Sequence, residues 1–118
     1  MYRLKPSASE DLAYLRGADV EQVCIGKHDL QFRLHPDGVI CIWSTCELVA
    51  ADGTTADTWV NGNRSDRFLF CDLLGATISD VLAVDDKTLT LKFTDGRRLV
   101  LFDTSDQYES FSVGNFIV

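Results

Sequence analysis

The chain reads as an α+β domain: a pseudo-twofold duplication of a helix–β-meander unit in which antiparallel sheet dominates. Three observations predict this. A shift of 58 residues lays the second half over the first, so that Ser7 meets Ser65, Leu15 meets Leu73, Gly17-Ala18 meets Gly75-Ala76, Val20 meets Ile78 and Asp37-Gly38 meets Asp95-Gly96. Self-similarity on that scale organises the whole of a 118-residue chain. Each copy opens on a helix-start signal and reaches a glycine stop, and each continues in alternating apolar runs broken by an Asp-Gly turn. One domain is expected, built from repeats of about 7–64 and 65–118.

The elements follow in order. Ser7-Ala8-Ser9-Glu10 has the form of a capping box, and Gly17 closes the short helix that carries Leu12, Ala13 and Leu15. Asp19 to Ile25 reads as a strand, and Leu30, Phe32 and Leu34 alternate with Gln31 and Arg33 as in a half-buried strand. After the Pro36-Asp37-Gly38 turn, Val39 to Trp43 resumes as a buried strand, with a fourth strand over Glu47 to Ala51. Residues 52–63 are expected to form the one long loop, with Trp59 inside it. In the second copy a helix runs from Arg67 to Leu74 after Ser65-Asp66. Strands then span 78–84, 88–93, 98–102 and 110–113, and Phe116 to Val118 finishes at a sheet edge.

Composition bounds the function. With 46% hydrophobic and 25% charged residues the chain is ordinary globular material. No apolar run approaches the ~20 residues that span a bilayer, and no membrane partner is expected. The start, Met1 to Pro6, has basic residues without an apolar segment, so no secretory signal is read and a cytoplasmic setting is expected. Cys24, Cys41, Cys46 and Cys71 are therefore expected to be reduced thiols, mostly buried.

The net charge of −7 is concentrated. Between His35 and Asn63 there are four acids (Asp37, Glu47, Asp52, Asp57) and no Lys or Arg; from Leu99 onward there are three (Asp103, Asp106, Glu109) and again none. Such a surface disfavours nucleic acid and suits a basic protein partner. Glu47, Asp52, Asp57, Trp59, Asp103, Asp106, Tyr108 and Glu109 are the expected contacts, the aromatics as anchors.

Catalytic and metal signatures are sparse. Neither G-x-x-x-x-G-K, G-x-G-x-x-G nor G-x-S-x-G occurs. His28 and His35 flank one strand and fall roughly 20 Å apart at ~3.3 Å per residue. Cys24, His28, Cys41 and Cys46 lack the close Cys-x-x-Cys spacing of structural zinc. No cofactor, metal or catalytic residue is expected, and the chain is read as a non-enzyme.

Two segments resemble a family of small bacterial proteins of uncharacterised function. They are Leu74-Gly75-Ala76, followed by Leu89-Thr90-Leu91-Lys92-Phe93-Thr94-Asp95-Gly96-Arg97, and Asp106-Gln107-Tyr108-Glu109-Ser110-Phe111. The resemblance covers residues 73–113, with a weaker echo in 15–42, and brings no catalytic residues. The profile as a whole is similar to the immunity proteins of bacterial toxin–immunity pairs, including contact-dependent inhibition systems. That similarity implies a stoichiometric inhibitor whose acidic face covers a basic toxin domain, such as a nuclease. The alternative is a small-ligand binding module with a pocket between the repeats. A homodimer through an edge strand is compatible with either.

Overall fold

A computed structural model describes residues 8–66, 68–103, 110–113 and 116–117. The regular structure of the described residues is mostly antiparallel β, with almost no helix. Its strands are β1 (Asp19–Ile25), β2 (Leu30–His35), β3 (Val39–Ile42), β4 (Thr45–Val49), β5 (Thr55–Val60), β6 (Asn63–Arg64), β7 (Ile78–Ala83), β8 (Thr88–Phe93), β9 (Arg98–Phe102), β10 (Phe111–Val113) and β11 (Phe116–Ile117). They form a five-stranded sheet ordered β1-β2-β3-β10-β11 and a six-stranded sheet ordered β6-β5-β4-β9-β8-β7.

This corrects the α+β expectation. Instead of the first helix, one α-helical turn covers Ala8–Asp11 and a 3-10 turn covers Ala13–Leu15; instead of the second, a 3-10 turn covers Phe70–Leu73. The physical reason lies in length and anchor spacing. Leu12 and Leu15, like Phe70 and Leu73, are buried pairs three residues apart. That spacing matches the three residues per turn of a 3-10 helix. Segments this short do not repay the nucleation of an α-helix. Phe68, at φ 39°, interrupts the second segment outright. Ser7 and Arg67, assigned to the helix starts, lie outside the described residues.

The expected long loop is also corrected. Residues 55–64 are the hairpin β5–β6, turning at Asn61-Gly62. Both turn residues have positive φ, 49° and 79°, the requirement of a tight two-residue hairpin turn.

The first three strands of each half pair as consecutive hairpins, β1-β2-β3 and β7-β8-β9. The fourth strand of each half then leaves its own sheet. β4 pairs with β9, placing Thr45 opposite Phe102 and Val49 opposite Arg98, while β10 pairs with β3, placing Phe111 opposite Ile42. Neither sheet is therefore complete without a strand from the other half.

Backbone bonds join the halves where the strands begin. Gly17 N donates to Ile78 O (2.8 Å) and Ile78 N to Ala18 O (2.9 Å). Gly75 N donates to Val20 O (2.8 Å) and Val20 N to Ala76 O (2.9 Å). Adding or subtracting 58 converts one pair of bonds into the other. Between them Asp19 and Thr77, themselves 58 apart, form an antiparallel bridge, and Thr77 Oγ1 donates to Asp19 Oδ1 at 2.6 Å. The register irregularities at Val20/Gln22 in β1 and Ile78/Asp80 in β7 have the same offset.

One core lies between the sheets. It takes the inward residues of both, including Leu30, Phe32, Ile40, Ile42, Leu48, Leu89, Leu91, Leu99, Leu101 and Phe111. An aromatic series crosses it: Phe32 to Phe70 (6.3 Å), Phe70 to Phe68 (5.6 Å) and Phe68 to Trp59 (6.5 Å between ring centroids). These spacings suit tilted and edge-to-face contacts.

The free edge of β7 is capped. Val84 N donates across to Thr88 O, so Val81 and Ala83, three residues and one residue earlier, turn their amides away from β8. Val81 N donates to Asp80 Oδ1 (2.9 Å) and Ala83 N to Ser9 Oγ (2.7 Å). Arg16 holds Asp80 through Nε (3.0 Å) and Nη2 (2.7 Å), which lowers the carboxyl's pKa below its ordinary value.

Gly17 and Gly75 sit at φ 86° and 81° with open space where a Cβ would project. Substitution by Ala at either site should therefore cost only the backbone term, about 1 kcal/mol. Chemical denaturation of Gly17→Ala and Gly75→Ala should show equal losses; a large loss at one site alone would contradict their structural equivalence.

Candidate functional site

The fold divides the expected contact residues. Glu47 lies at mid-β4 between the inward Cys46 and Leu48, so its side chain faces outward, opposite Thr58 of β5. Asp52 is exposed in the turn before β5, where Thr54 N (2.9 Å) and Thr54 Oγ1 (2.7 Å) donate to its Oδ1. The Thr54 hydroxyl bond, first, and its amide bond lower the Asp52 pKa.

Asp57 and Trp59 do not form the exposed contacts expected of them. They alternate inward on β5 and are only 5% and 1% exposed. Trp59 packs edge-on against Phe68. Asp57 organises the chain beyond β6: its carboxylate accepts from Ser65 Oγ, from Leu69 N and from Thr58 N. Ser65 Oγ in turn accepts from Phe68 N at 3.2 Å. The carboxylate thus fixes Ser65 and Leu69 beside β5, with Phe68 tied to the Ser65 hydroxyl and its ring set against Trp59 and Phe70.

Asp103 lies elsewhere. It follows β9, donates its amide to Lys87 O (2.7 Å) and accepts from the Ser110 hydroxyl (2.8 Å). Asp52 extends beyond the Val49 end of β4 and Asp103 beyond the Thr45 end. The four steps of β4 alone separate them by about 13 Å, so these two acids sit at opposite ends of that strand. Asp106, Tyr108 and Glu109 lie outside the described residues.

What gathers around β5 is a shallow groove of about 390 Å³, lined by Thr55, Ala56, Asp57, Thr58, Ser65 and Asp66. It exists because β6 pairs only with Trp59 and Val60, leaving the earlier part of β5 without a strand on that side. Among the described residues the lining carries two carboxylates and no Lys or Arg. Glu47 stands beside Thr58, and Asp52 lies next to the Thr55 end. Ser65 and Asp66 were missed as site residues by sequence reasoning. The missed signal was Asn61-Gly62, which folds the chain back and brings residue 65 alongside 57. The groove is lined by residues on both sides of the repeat boundary at 64/65, away from the junction at 17–20 and 75–78, which four backbone bonds close.

The thiols are all free. Burial first, and then the Asp29 carboxylate, push Cys41 up to about 11. Burial, then Asp57 and Glu47, raise Cys46 further still. Cys71 is exposed. Among the described residues no three or more His, Cys, Asp or Glu side chains converge as metal ligands. No helix among them is long and apolar enough to cross a membrane.

No family model matches the chain, and neither the curated proteins nor the solved structures contain a match to it.

Removing the Asp57 carboxylate orphans three donors. At about 1 kcal/mol net for each hydrogen bond, Asp57→Ala should cost about 3 kcal/mol in urea denaturation, with a far smaller effect from Asp52→Ala at its exposed turn. Equal effects would refute the organising role of Asp57. In the native protein at pH ~8, an alkylating reagent should modify Cys71 well before Cys41 and Cys46, whose thiolates are scarce and covered. Peptide mapping after a timed pulse reads this order, and early modification of Cys46 would contradict it.

Proposed function

We propose that this chain is a non-enzymatic, protein-binding inhibitor: a cytoplasmic immunity protein that captures a basic partner, most concretely a nucleic-acid-cleaving toxin domain. The observation that carries this reading is the groove beside β5, with Asp57 and Asp66 in its lining and Glu47 and Asp52 at its margins. A negatively charged concavity steers a positively charged partner and fixes its orientation. The side chains of Thr55, Thr58 and Ser65 add neutral hydrogen-bonding groups to the same surface. Glu47, Asp52 and Asp57 come from the acidic stretch of the first half, Asp66 follows that stretch, and Asp103 is not among the residues that line the groove.

The reading of the chain as two copies of one unit, about 7–64 and 65–118, is supported by the 58-residue relation among the joining bonds. The groove departs from that relation. It is formed by β5, β6 and residues 65–66, where the first copy runs into the second, and the partner therefore engages one side of the domain.

The test is direct. The C-terminal domain encoded by the upstream neighbouring gene is co-expressed with the tagged chain, and a stoichiometric, inactive complex is expected. In stopped-flow binding at low salt, the triple variant Glu47→Lys/Asp52→Lys/Asp66→Lys should associate at least about tenfold more slowly and lose most of its salt dependence. Unchanged kinetics at every ionic strength would sink the groove as the docking surface.

A further inference from the structure

The two outermost hairpins treat their edges differently, and the difference points to a second copy of this chain. Gly26 N donates to Asp29 O (2.8 Å), so the amides and carbonyls of Val23 and Ile25 face away from β2. These positions correspond to Val81 and Ala83 of β7, whose amides are capped by Asp80 and Ser9. In β1 the residue at the Asp80 position is Gln22. Among the described residues nothing caps Val23 N or Ile25 N. Ile25 is also left 47% exposed at the end of this edge. A bare strand edge with an uncovered apolar residue is the form of a strand-addition site.

We propose that β1 pairs antiparallel with β1 of a second copy, about a twofold axis at Cys24, joining the two five-stranded sheets edge to edge. Self-complementarity selects this occupant and this register. With Cys24 on the axis, Val23 lies opposite Ile25 of the second copy, and Ile25 opposite its Val23. The outward backbone groups of both residues then exchange hydrogen bonds twice. The same register sets the exposed Glu21 level with the exposed Lys27 of the other copy, and Lys27 level with its Glu21. Opposite charges facing across strands favour such a pairing. Each Ile25 gains cover from the strand laid beside it. The two Cys24 residues become a non-hydrogen-bonded pair, with Cα atoms about 4.5 Å apart, a separation that a disulfide spans. This interface uses the edge opposite in sheet order to β11 and no residue lining the groove.

Sedimentation equilibrium of the full chain under reducing conditions, over a concentration series, should show a monomer–dimer equilibrium. Glu21→Lys and Lys27→Glu should each weaken it about tenfold, because two attractive pairs become repulsive, and the double swap Glu21→Lys/Lys27→Glu should restore it. Val23→Pro removes an edge donor that the monomer does not use, so it should abolish the dimer while circular dichroism stays native. In a Cys71→Ser background, diamide, which takes up the two protons and two electrons of a thiol pair, should trap a covalent dimer that Cys24→Ser prevents. A strictly monomeric chain would overturn the proposal, as would a dimer indifferent to both charge variants and to Val23→Pro. Because the groove is untouched, loss of the dimer with partner binding retained separates this inference from the docking proposal.

Discussion

The reciprocal backbone stitch between residues 17–20 and 75–78 governs how everything else in the fold is arranged. It joins two hairpin systems at their first residues, so both meanders start from one shared point. Gly17 and Gly75 make it feasible: their left-handed backbone turns the chain from a 3-10 turn directly into a strand. Asp19 and Thr77 close the centre with a backbone bridge and a 2.6 Å side-chain bond. With the starts of β1 and β7 tied, the fourth strands cross over between the halves. β4 therefore completes the β7-β8-β9 sheet and β10 completes the β1-β2-β3 sheet. The single core is a consequence, because each sheet owes a strand to the other half.

Within that frame the groove is a by-product of one buried carboxylate. Asp57 points inward on β5 and gathers Ser65, Leu69 and Thr58 around it. A buried carboxylate is tolerable only when donors surround it, and here they come from the backbone and one hydroxyl. The chain they hold delivers Phe68 and Phe70 to the core and leaves Ser65 and Asp66 as the outer wall of the groove. Stability and surface shape thus share one residue. Asp52, by contrast, accepts its bonds within its own exposed turn.

Edges show the complementary logic. Two antiparallel sheets present bare backbone wherever pairing ends, and the fold answers locally: β6 covers the end of β5, while Asp80 and Ser9 cap β7. Capping two amides needs an Asp at one position and a preceding serine folded back from the chain start. β1 shares the geometry of β7 but has Gln22 where β7 has Asp80. Among the described residues, then, the two edges differ at equivalent positions, and only that of β7 carries its caps.

Much of the local structure was legible in the sequence. Alternation marked β2 and β8, the Asp-Gly turn placed the β8–β9 hairpin, and the 58-residue offset anticipated the equivalence of the two glycines, because these are effects of neighbouring residues on their own backbone. The helices were misread because a capping signal and a glycine stop specify only where a turn begins and ends. They do not set the length of a helix between them, and segments of three or four residues are too short to repay the nucleation of an α-helix. The acidic contact set was legible as a stretch of charge, yet only partly as a site. Charge is countable along the chain, whereas the inward alternation of Asp57 and Trp59, and the opposite ends taken by Asp52 and Asp103, are set by pairing between distant strands. Local residue order was enough to specify most of the strands, the main turns and the uneven charge. Which sheet each fourth strand joins, which acids surround a groove and which edge stays open were settled by folding, because those depend on long-range hydrogen bonds and on one core shared by both halves.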